Sequence, residues 1–288
     1  MNLADSIVKT LTYHDIFEYP LTLNEIHKFL IGEKANLKQV ELTVSDLKSA
    51  KQIRERKGFF YLKNREKIVP TRLNHKKYSR VKQKKALFYS NILKLIPTLN
   101  LVAVSGALSM ENSHKKDDID LVLISAPKTM WTTRFLANLL LLPFKRNFAG
   151  TNISDRACLN LFIDGQDLKI HSQNLYTAHE ICQMKLIWDR NNAYRHFLKA
   201  NSWVKKFLPN WQPEKVESGK WEVESVGNPK KNLSLIEILF KRFQLWYMRK
   251  KISTERIGQT QLFFHPANTQ NYVMREYQKR LKKLKLSV

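Results

Sequence analysis

The sequence predicts an α+β protein in three parts joined by a basic helix, and three observations support this fold class. Residues 1–70 combine helical spacing of apolar residues with a β-hairpin signal. Residues 98–173 contain apolar, β-prone runs separated by a helical segment, which predicts a mixed β-sheet flanked by helices. Residues 168–170 are expected to form a hairpin with the preceding β-prone run, turning at Asp164-Gly165. Residues 174–288 show helical spacing, so a helical C-terminal region is expected, with Thr177 as the cap of a helix over residues 178–187. Residues 71–97 predict the linker helix.

In the N-terminal part, three helical patterns precede the hairpin signal. The first pattern ends near Tyr19-Pro20, where proline stops a helix. Thr22 begins the second as an N-cap, with Glu25 as its capping-box partner three residues later. After the third pattern, two β-prone runs flank a turn at Lys57-Gly58. Three helices followed by a hairpin resemble a winged-helix domain, a variant of the helix-turn-helix family.

The charge of the chain favours a polyanionic partner. The sequence holds 50 Lys+Arg against 25 Asp+Glu, a formal net charge of +25, with a pI near 10.0. Residues 51–90 alone hold fourteen Lys/Arg and only two acids. Basic side chains beside a hairpin suit contacts to phosphates, so we expect nucleic acid as a partner; a basic solvated surface is the alternative. The residues expected to contact nucleic acid are Arg54, Arg56, Lys57, Lys63, Arg65 and Lys67.

The cysteines, the N-terminus and the longest apolar run indicate where in the cell the protein is expected. Cys158 and Cys182 lack metal-ligand spacing, so they predict neither a disulfide framework nor a zinc site. The N-terminus lacks a cationic start followed by an apolar core, and no signal peptide is expected. The longest apolar run, residues 135–142, is too short to span a bilayer. We therefore expect a cytoplasmic protein with no membrane association.

The motif that bears most directly on function lies in the predicted sheet. An apolar run over residues 101–104 is followed by Ser105-Gly106-Ala107, and an apolar run containing Asp118-Ile119-Asp120 comes about ten residues later. Alternate residues of a β-strand share a face, so both carboxylates can reach one metal ion. A small-residue turn between a strand and a helix allows backbone amides to approach a phosphate.

This combination resembles the nucleotidyltransferase superfamily that includes DNA polymerase β. The resemblance covers residues 98–172 and implies that Asp118 and Asp120 bind Mg²⁺ or Mn²⁺. It also implies that Ser105, Gly106 and Ala107 contact the phosphates of a nucleoside triphosphate. The implied reaction transfers a nucleoside monophosphate to an acceptor, with nucleic acid as one candidate. On the resemblance alone, an enzyme is favoured.

One part of the family pattern is changed. A third carboxylate belongs on the strand predicted over residues 157–163, where this chain has Asn160. An amide offers one oxygen but no charge, so it is a weaker ligand for a hard dication. Three interpretations stay open: an enzyme with one tightly held metal, a DNA- or RNA-binding regulator without turnover, and an unrelated fold in which the aspartates are solvated.

Overall fold

The computed structural model describes residues 2–146, 153–213, 223–224, 233–249, 256–264 and 267–287. Within these residues the chain forms a two-stranded sheet near the N-terminus and a larger mixed sheet covered by helices on both faces. The α+β class and the mixed sheet flanked by helices are therefore confirmed. In this part of the chain no helix is long and apolar enough to cross a membrane.

The N-terminal part contains three helices and a hairpin. Its elements are α1 (Leu3–Asp15), α2 (Leu23–Lys28), α3 (Leu37–Ser49), β1 (Ile53–Arg56) and β2 (Phe59–Leu62). The capping box at the start of α2 is present, because the Thr22 hydroxyl accepts from the Glu25 amide and the Glu25 carboxylate accepts from the Thr22 amide. Lys57 and Gly58 both have positive φ, which suits a two-residue hairpin turn. The local signals predicted this region well.

The predicted linker helix is α4 (Ile68–Leu93), which begins a few residues before Arg72. It lies against the larger sheet, and Ala86, Tyr89 and Leu93 are buried there. Lys82 on the same helix is also buried. The helix is thus part of a folded core, and some of its positive charge lies inside the protein.

The larger sheet is built from strands on both sides of residue 174. The elements that follow α4 are β3 (Leu99–Val104), α5 (Gly106–Ser109), β4 (Ile119–Ser125), α6 (Met130–Leu140), β5 (Ala157–Asp164), α7 (Leu175–Gln183), β6 (Lys185–Arg190), α8 (Ala193–Ala200), β7 (Val223–Glu224), α9 (Leu233–Met248), β8 (Arg256–Ile257), β9 (Gln261–Phe263) and α10 (Ala267–Lys283). The strand order is β7-β6-β3-β4-β5-β9-β8, with β4–β5 and β6–β7 parallel and the other pairs antiparallel.

Alternate residues of the central strands enter two separate cores. On β4, Val122 and Ile124 face a core that includes residues of α1, α7, α8 and α10. Leu121 and Leu123 face the opposite core, which includes residues of α4 and α6. Because side chains alternate along a strand, Asp120 lies on the same face as Val122. The carboxylate of Asp120 therefore lies on the face of the sheet that packs against α1, α7, α8 and α10.

Two predictions about the larger sheet and the region that follows it are wrong. Residues 174–288 do not form a purely helical region, because β6, β7, β8 and β9 lie in the same sheet as β3–β5. A hairpin between β5 and residues 168–170, turning at Asp164-Gly165, was also expected. The structure instead pairs β5 with β9. In both cases pairing between strands far apart in sequence overrides the local pattern.

Candidate functional site

Asp118 and Asp120 are brought together with a residue that the sequence did not single out, Cys158. One carboxylate oxygen from each aspartate and the Cys158 sulfur all lie within 4.8 Å of one another. The cause is strand pairing: β4 and β5 are parallel, and Asp120 is the register partner of Cys158. Register partners present their side chains on the same face of a sheet. The two aspartates thus meet as predicted.

Cys158 is the residue that sequence reasoning missed. It stands two positions before Asn160, and the period of a β-strand was the signal that could have found it. Burial, followed by the charge of Asp120, raises the pKa of the Cys158 thiol, so the group carries its proton near neutral pH when no cation is bound. The cluster therefore combines two carboxylates with one protonated thiol.

Asn160 lies at a bulge rather than opposite Asp120. The pairing of β4 with β5 steps from Leu121–Leu159 to Val122–Leu161, which leaves Asn160 as the extra residue. Its Nδ2 atom is 3.5 Å from the Ser105 hydroxyl, and its Oδ1 atom is buried without a hydrogen-bond partner. Cys158, and not Asn160, therefore stands opposite Asp120, where the third carboxylate was expected. Asn160 lies next to Ser105.

The Ser105-Gly106 turn packs directly on one of the carboxylates. Gly106 has φ of +60°, a left-handed conformation that favours glycine, and a Cβ atom there would lie 3.0 Å from Asp120 Oδ2. The Ser105 amide donates to the Asp120 carbonyl at 3.1 Å, and Ser105 is buried. Ala107, the third residue of the motif, is exposed. A Cβ atom at residue 106 would therefore push the Asp120 carboxylate away by a few tenths of an ångström.

Arg146 supplies the positive charge at the site. Its Nη1 atom donates to Asp118 Oδ2 at 2.9 Å, and the Arg146 side chain is 45% exposed to solvent. An exposed guanidinium can move from a carboxylate to a phosphate without leaving water. No sequence signal predicted this contact, because Arg146 and Asp118 are 28 positions apart.

The segment that leads into Asp118 is held by a buried lysine. The Lys82 ammonium donates to Asp155 Oδ1 at 2.6 Å, to the Asp117 carbonyl at 2.7 Å and to the Lys115 carbonyl at 3.2 Å. The Asp155 amide donates in turn to the Asp117 carbonyl at 2.9 Å. Lys82 thus fixes the backbone immediately before the first carboxylate.

A cavity of about 450 Å³ begins at Ser105 and Asn160 and lies on the Asp120 face of the sheet. Tyr176, Thr177 and Glu180 from α7 line one part of it. Residues within 256–263 line another part, and the amide of the next residue, Phe264, donates to the Asn160 carbonyl at 2.8 Å. The cavity is mostly apolar with polar groups at its edge, which is typical of sites for small organic ligands.

The basic residues predicted to contact nucleic acid differ in their surroundings. Arg56, Lys57, Lys63 and Lys67 are exposed, and Arg54 is half-buried. The Arg65 side chain donates through Nε to buried Asp15 at 2.6 Å. Arg65 is therefore committed to an internal ion pair, and the exposed lysines and arginines of the hairpin form the available positive surface.

Comparison with known proteins found no match to the chain among protein-family models, curated proteins or solved structures.

Proposed function

We propose that this protein is a nucleotidyltransferase that transfers a nucleoside monophosphate from a triphosphate to a hydroxyl acceptor, with Mg²⁺ or Mn²⁺ as cofactor. The carrying observation is the packing of the Gly106 turn against Asp120, next to the Asp118 carboxylate. The turn begins at Ser105, which lines the cavity together with Asn160, so the two candidate cation ligands lie beside a turn that borders a space for an organic group. The arrangement supports a metal-bound triphosphate better than a solvated pair of acids.

The donor groups suit one hard cation. Carboxylate oxygens are preferred Mg²⁺ ligands, and those of Asp118 and Asp120 are close enough to share an ion. Cys158 offers sulfur where a third carboxylate would serve a second Mg²⁺, and sulfur is a poor ligand for that ion. When bound, the cation supplies positive charge that neutralises the triphosphate and activates the attacking hydroxyl. Asp118 and Asp120 hold it, and Cys158 limits the hard-cation site to one ion.

The protein's own residues account for binding and orientation of the substrate. The Ser105 hydroxyl and the backbone at Gly106 contact the phosphates, and Ala107 continues this surface. Arg146, which contacts Asp118 at 2.9 Å and is partly exposed, would be within reach of a phosphate bound beside the carboxylates and would neutralise part of its charge. The free Oδ1 of Asn160 accepts a hydrogen bond from a hydroxyl or an amino group of the nucleoside part in the cavity. In this proposal Asn160 therefore binds the nucleoside part of the substrate.

The test is a screen for pyrophosphate release with each common triphosphate and a panel of acceptors that includes DNA, RNA and small alcohols. Asp118→Asn and Asp120→Asn should each lower the rate about a hundredfold or more, since a metal ligand contributes at least as much as the groups that orient it. Asp46→Asn, which removes an exposed charge on α3, is the matched control and should leave the rate unchanged. Unchanged activity in both site variants would refute the proposal.

A second candidate is a nucleic-acid-binding regulator that keeps this fold without turnover. The observation that favours it is Cys158 in the position opposite Asp120, because no carboxylate among the described residues of β5 joins the cluster. It predicts binding that weakens steeply with salt and survives Asp120→Asn. Lys57→Glu on the hairpin should weaken binding severalfold, whereas Lys199→Glu on α8 should not. Equal binding by both charge-reversal variants would exclude the hairpin as the contact surface.

A further inference from the structure

The cluster of Asp118, Asp120 and Cys158 contains donors of two chemical kinds. Its carboxylate oxygens are hard ligands, whereas the Cys158 sulfur is soft. Zn²⁺ and related borderline cations accept both kinds, at about 2.0–2.2 Å for oxygen and about 2.3 Å for sulfur. Mg²⁺ accepts oxygen but gains little from sulfur. The sulfur therefore changes which ion the site prefers.

We infer that Asp118, Asp120 and Cys158 together form a three-ligand site for a borderline divalent cation such as Zn²⁺ or Co²⁺, bound more tightly than Mg²⁺. The inference rests on the proposed function for its place in catalysis, and it replaces Mg²⁺ or Mn²⁺ by a borderline cation at the same two carboxylates. The binding of the ion can be measured whether or not the protein catalyses transfer. The third ligand is supplied by strand register and therefore needs no rearrangement of the backbone.

The charges around the cluster suit this ion. As the metal–sulfur bond forms, the sulfur–hydrogen bond breaks and the proton passes to solvent, so the ligand is a thiolate. Two carboxylates and one thiolate carry three negative charges. A divalent cation together with the Arg146 guanidinium, 2.9 Å from Asp118 Oδ2, balances them. Arg146 thus lowers the cost of a third anionic ligand at the site.

A second observation also indicates a ligand at this edge of the sheet. Asn160 is only 6% exposed, and its Oδ1 atom lacks a hydrogen-bond partner. Buried polar atoms of this kind normally have a partner in the protein, in water or in a bound group. Asn160 follows Cys158 by two residues and lies against Ser105, which precedes the glycine packed on Asp120. A bound group at this edge of the sheet would supply the missing donor.

The experiment uses Co²⁺ as a spectroscopic probe on the full-length chain. Sulfur ligation produces a sulfur-to-cobalt charge-transfer band in the near ultraviolet, which oxygen ligands do not give. We expect this band in the wild type and in Cys182→Ser, the matched control, because Cys182 is equally buried but lies on α7 outside the cluster. Cys158→Ser should lose the band and lower Zn²⁺ affinity on the order of tenfold or more, with Mg²⁺ affinity unchanged.

The outcomes separate this inference from the proposed function. A band that persists in Cys158→Ser, or that is missing from the wild type, overturns the sulfur ligand. If Cys158→Ser does not fold, ¹¹³Cd NMR of the wild type decides the matter, because the cadmium shift reports sulfur directly; a shift typical of oxygen ligands alone refutes the inference. A cobalt–sulfur band in a protein without transferase activity supports the metal site and counts against the transferase. Transferase activity in a protein without the band supports the transferase and counts against the sulfur ligand.

Discussion

Replacement of Lys82 by methionine tests how the site is held in place. The side chain is 1% exposed and its ammonium donates to Asp155 and to two backbone carbonyls. Methionine fills a similar volume but leaves all three acceptors without that donor. Removing one partner of a buried charged network costs about 3–5 kcal/mol. Asp155 keeps Lys85 at 2.9 Å, so we place the loss near the lower limit, at about 3 kcal/mol.

Lys85→Met is the matched control. Lys85 binds the same carboxylate, but its side chain is 43% exposed, and an exposed ion pair contributes less than about 1 kcal/mol. Urea unfolding, followed by tryptophan fluorescence, gives the free energy of unfolding of both variants. Cation affinity in the folded protein is the second readout, and it should fall only for Lys82→Met, because Lys82 fixes the backbone before Asp118. Equal stabilities and equal affinities for the two variants would refute this reasoning.

Three further predictions concern the Gly106 turn, buried His14 and the ion pair of Arg72 with Glu25. Gly106→Ala should cost about 1 kcal/mol of stability through its left-handed backbone and should weaken cation binding in a calorimetric titration, because the new Cβ pushes the Asp120 carboxylate away by a few tenths of an ångström; unchanged cation affinity would contradict the assignment of Asp120 as a ligand. His14 is fully buried and neutral, and burial lowers its pKa from 6.5 to about 4. The unfolded chain therefore binds a proton at His14 that the folded chain does not. The contribution of His14 to stability is complete above pH 6.5 and falls by about 2 kcal/mol by pH 5 in urea titrations. His14→Phe should remove this part of the slope, while the part from buried His179, whose pKa is also lowered, persists. Arg72→Lys should lower the urea midpoint, with a loss of about 2 kcal/mol, because lysine cannot make the paired contacts of Arg72 to Glu25 at 2.6 and 2.8 Å; a variant as stable as the wild type would contradict the argument.

The sequence predicted elements whose signals are local. The capping box of Thr22 and Glu25 requires only residues three positions apart, and the hairpin at Lys57-Gly58 requires only a turn between two short runs. The Asp118-Ile119-Asp120 face likewise follows from the period of one strand. In each case the interacting residues are close along the chain, so the pattern and the structure agree.

Features that depend on distant pairing were not predictable in the same way. A helix was expected over residues 178–187 with Thr177 as its cap. The structure has α7 with Asn174 as the N-cap, and β6 from Lys185 onward. β6 forms because β3 offers an unpaired edge, which no local spacing reveals. The position of Cys158 opposite Asp120 similarly depends on register between two strands, and the bulge at Asn160 changes that register within a few residues.

The pairing of β5 with β9 has a consequence for synthesis of the chain. Leu161 pairs with Phe263, so the strand that closes β5 leaves the ribosome about a hundred residues after it. During that interval the outer edge of β5 has free backbone donors and acceptors, the kind of edge that templates aggregation. The wall of the cavity beside Asn160 is also incomplete until β9 arrives. The nascent chain therefore completes this cavity wall only after β9 has been synthesised, and a ribosome stalled before residue 261 carries an open sheet.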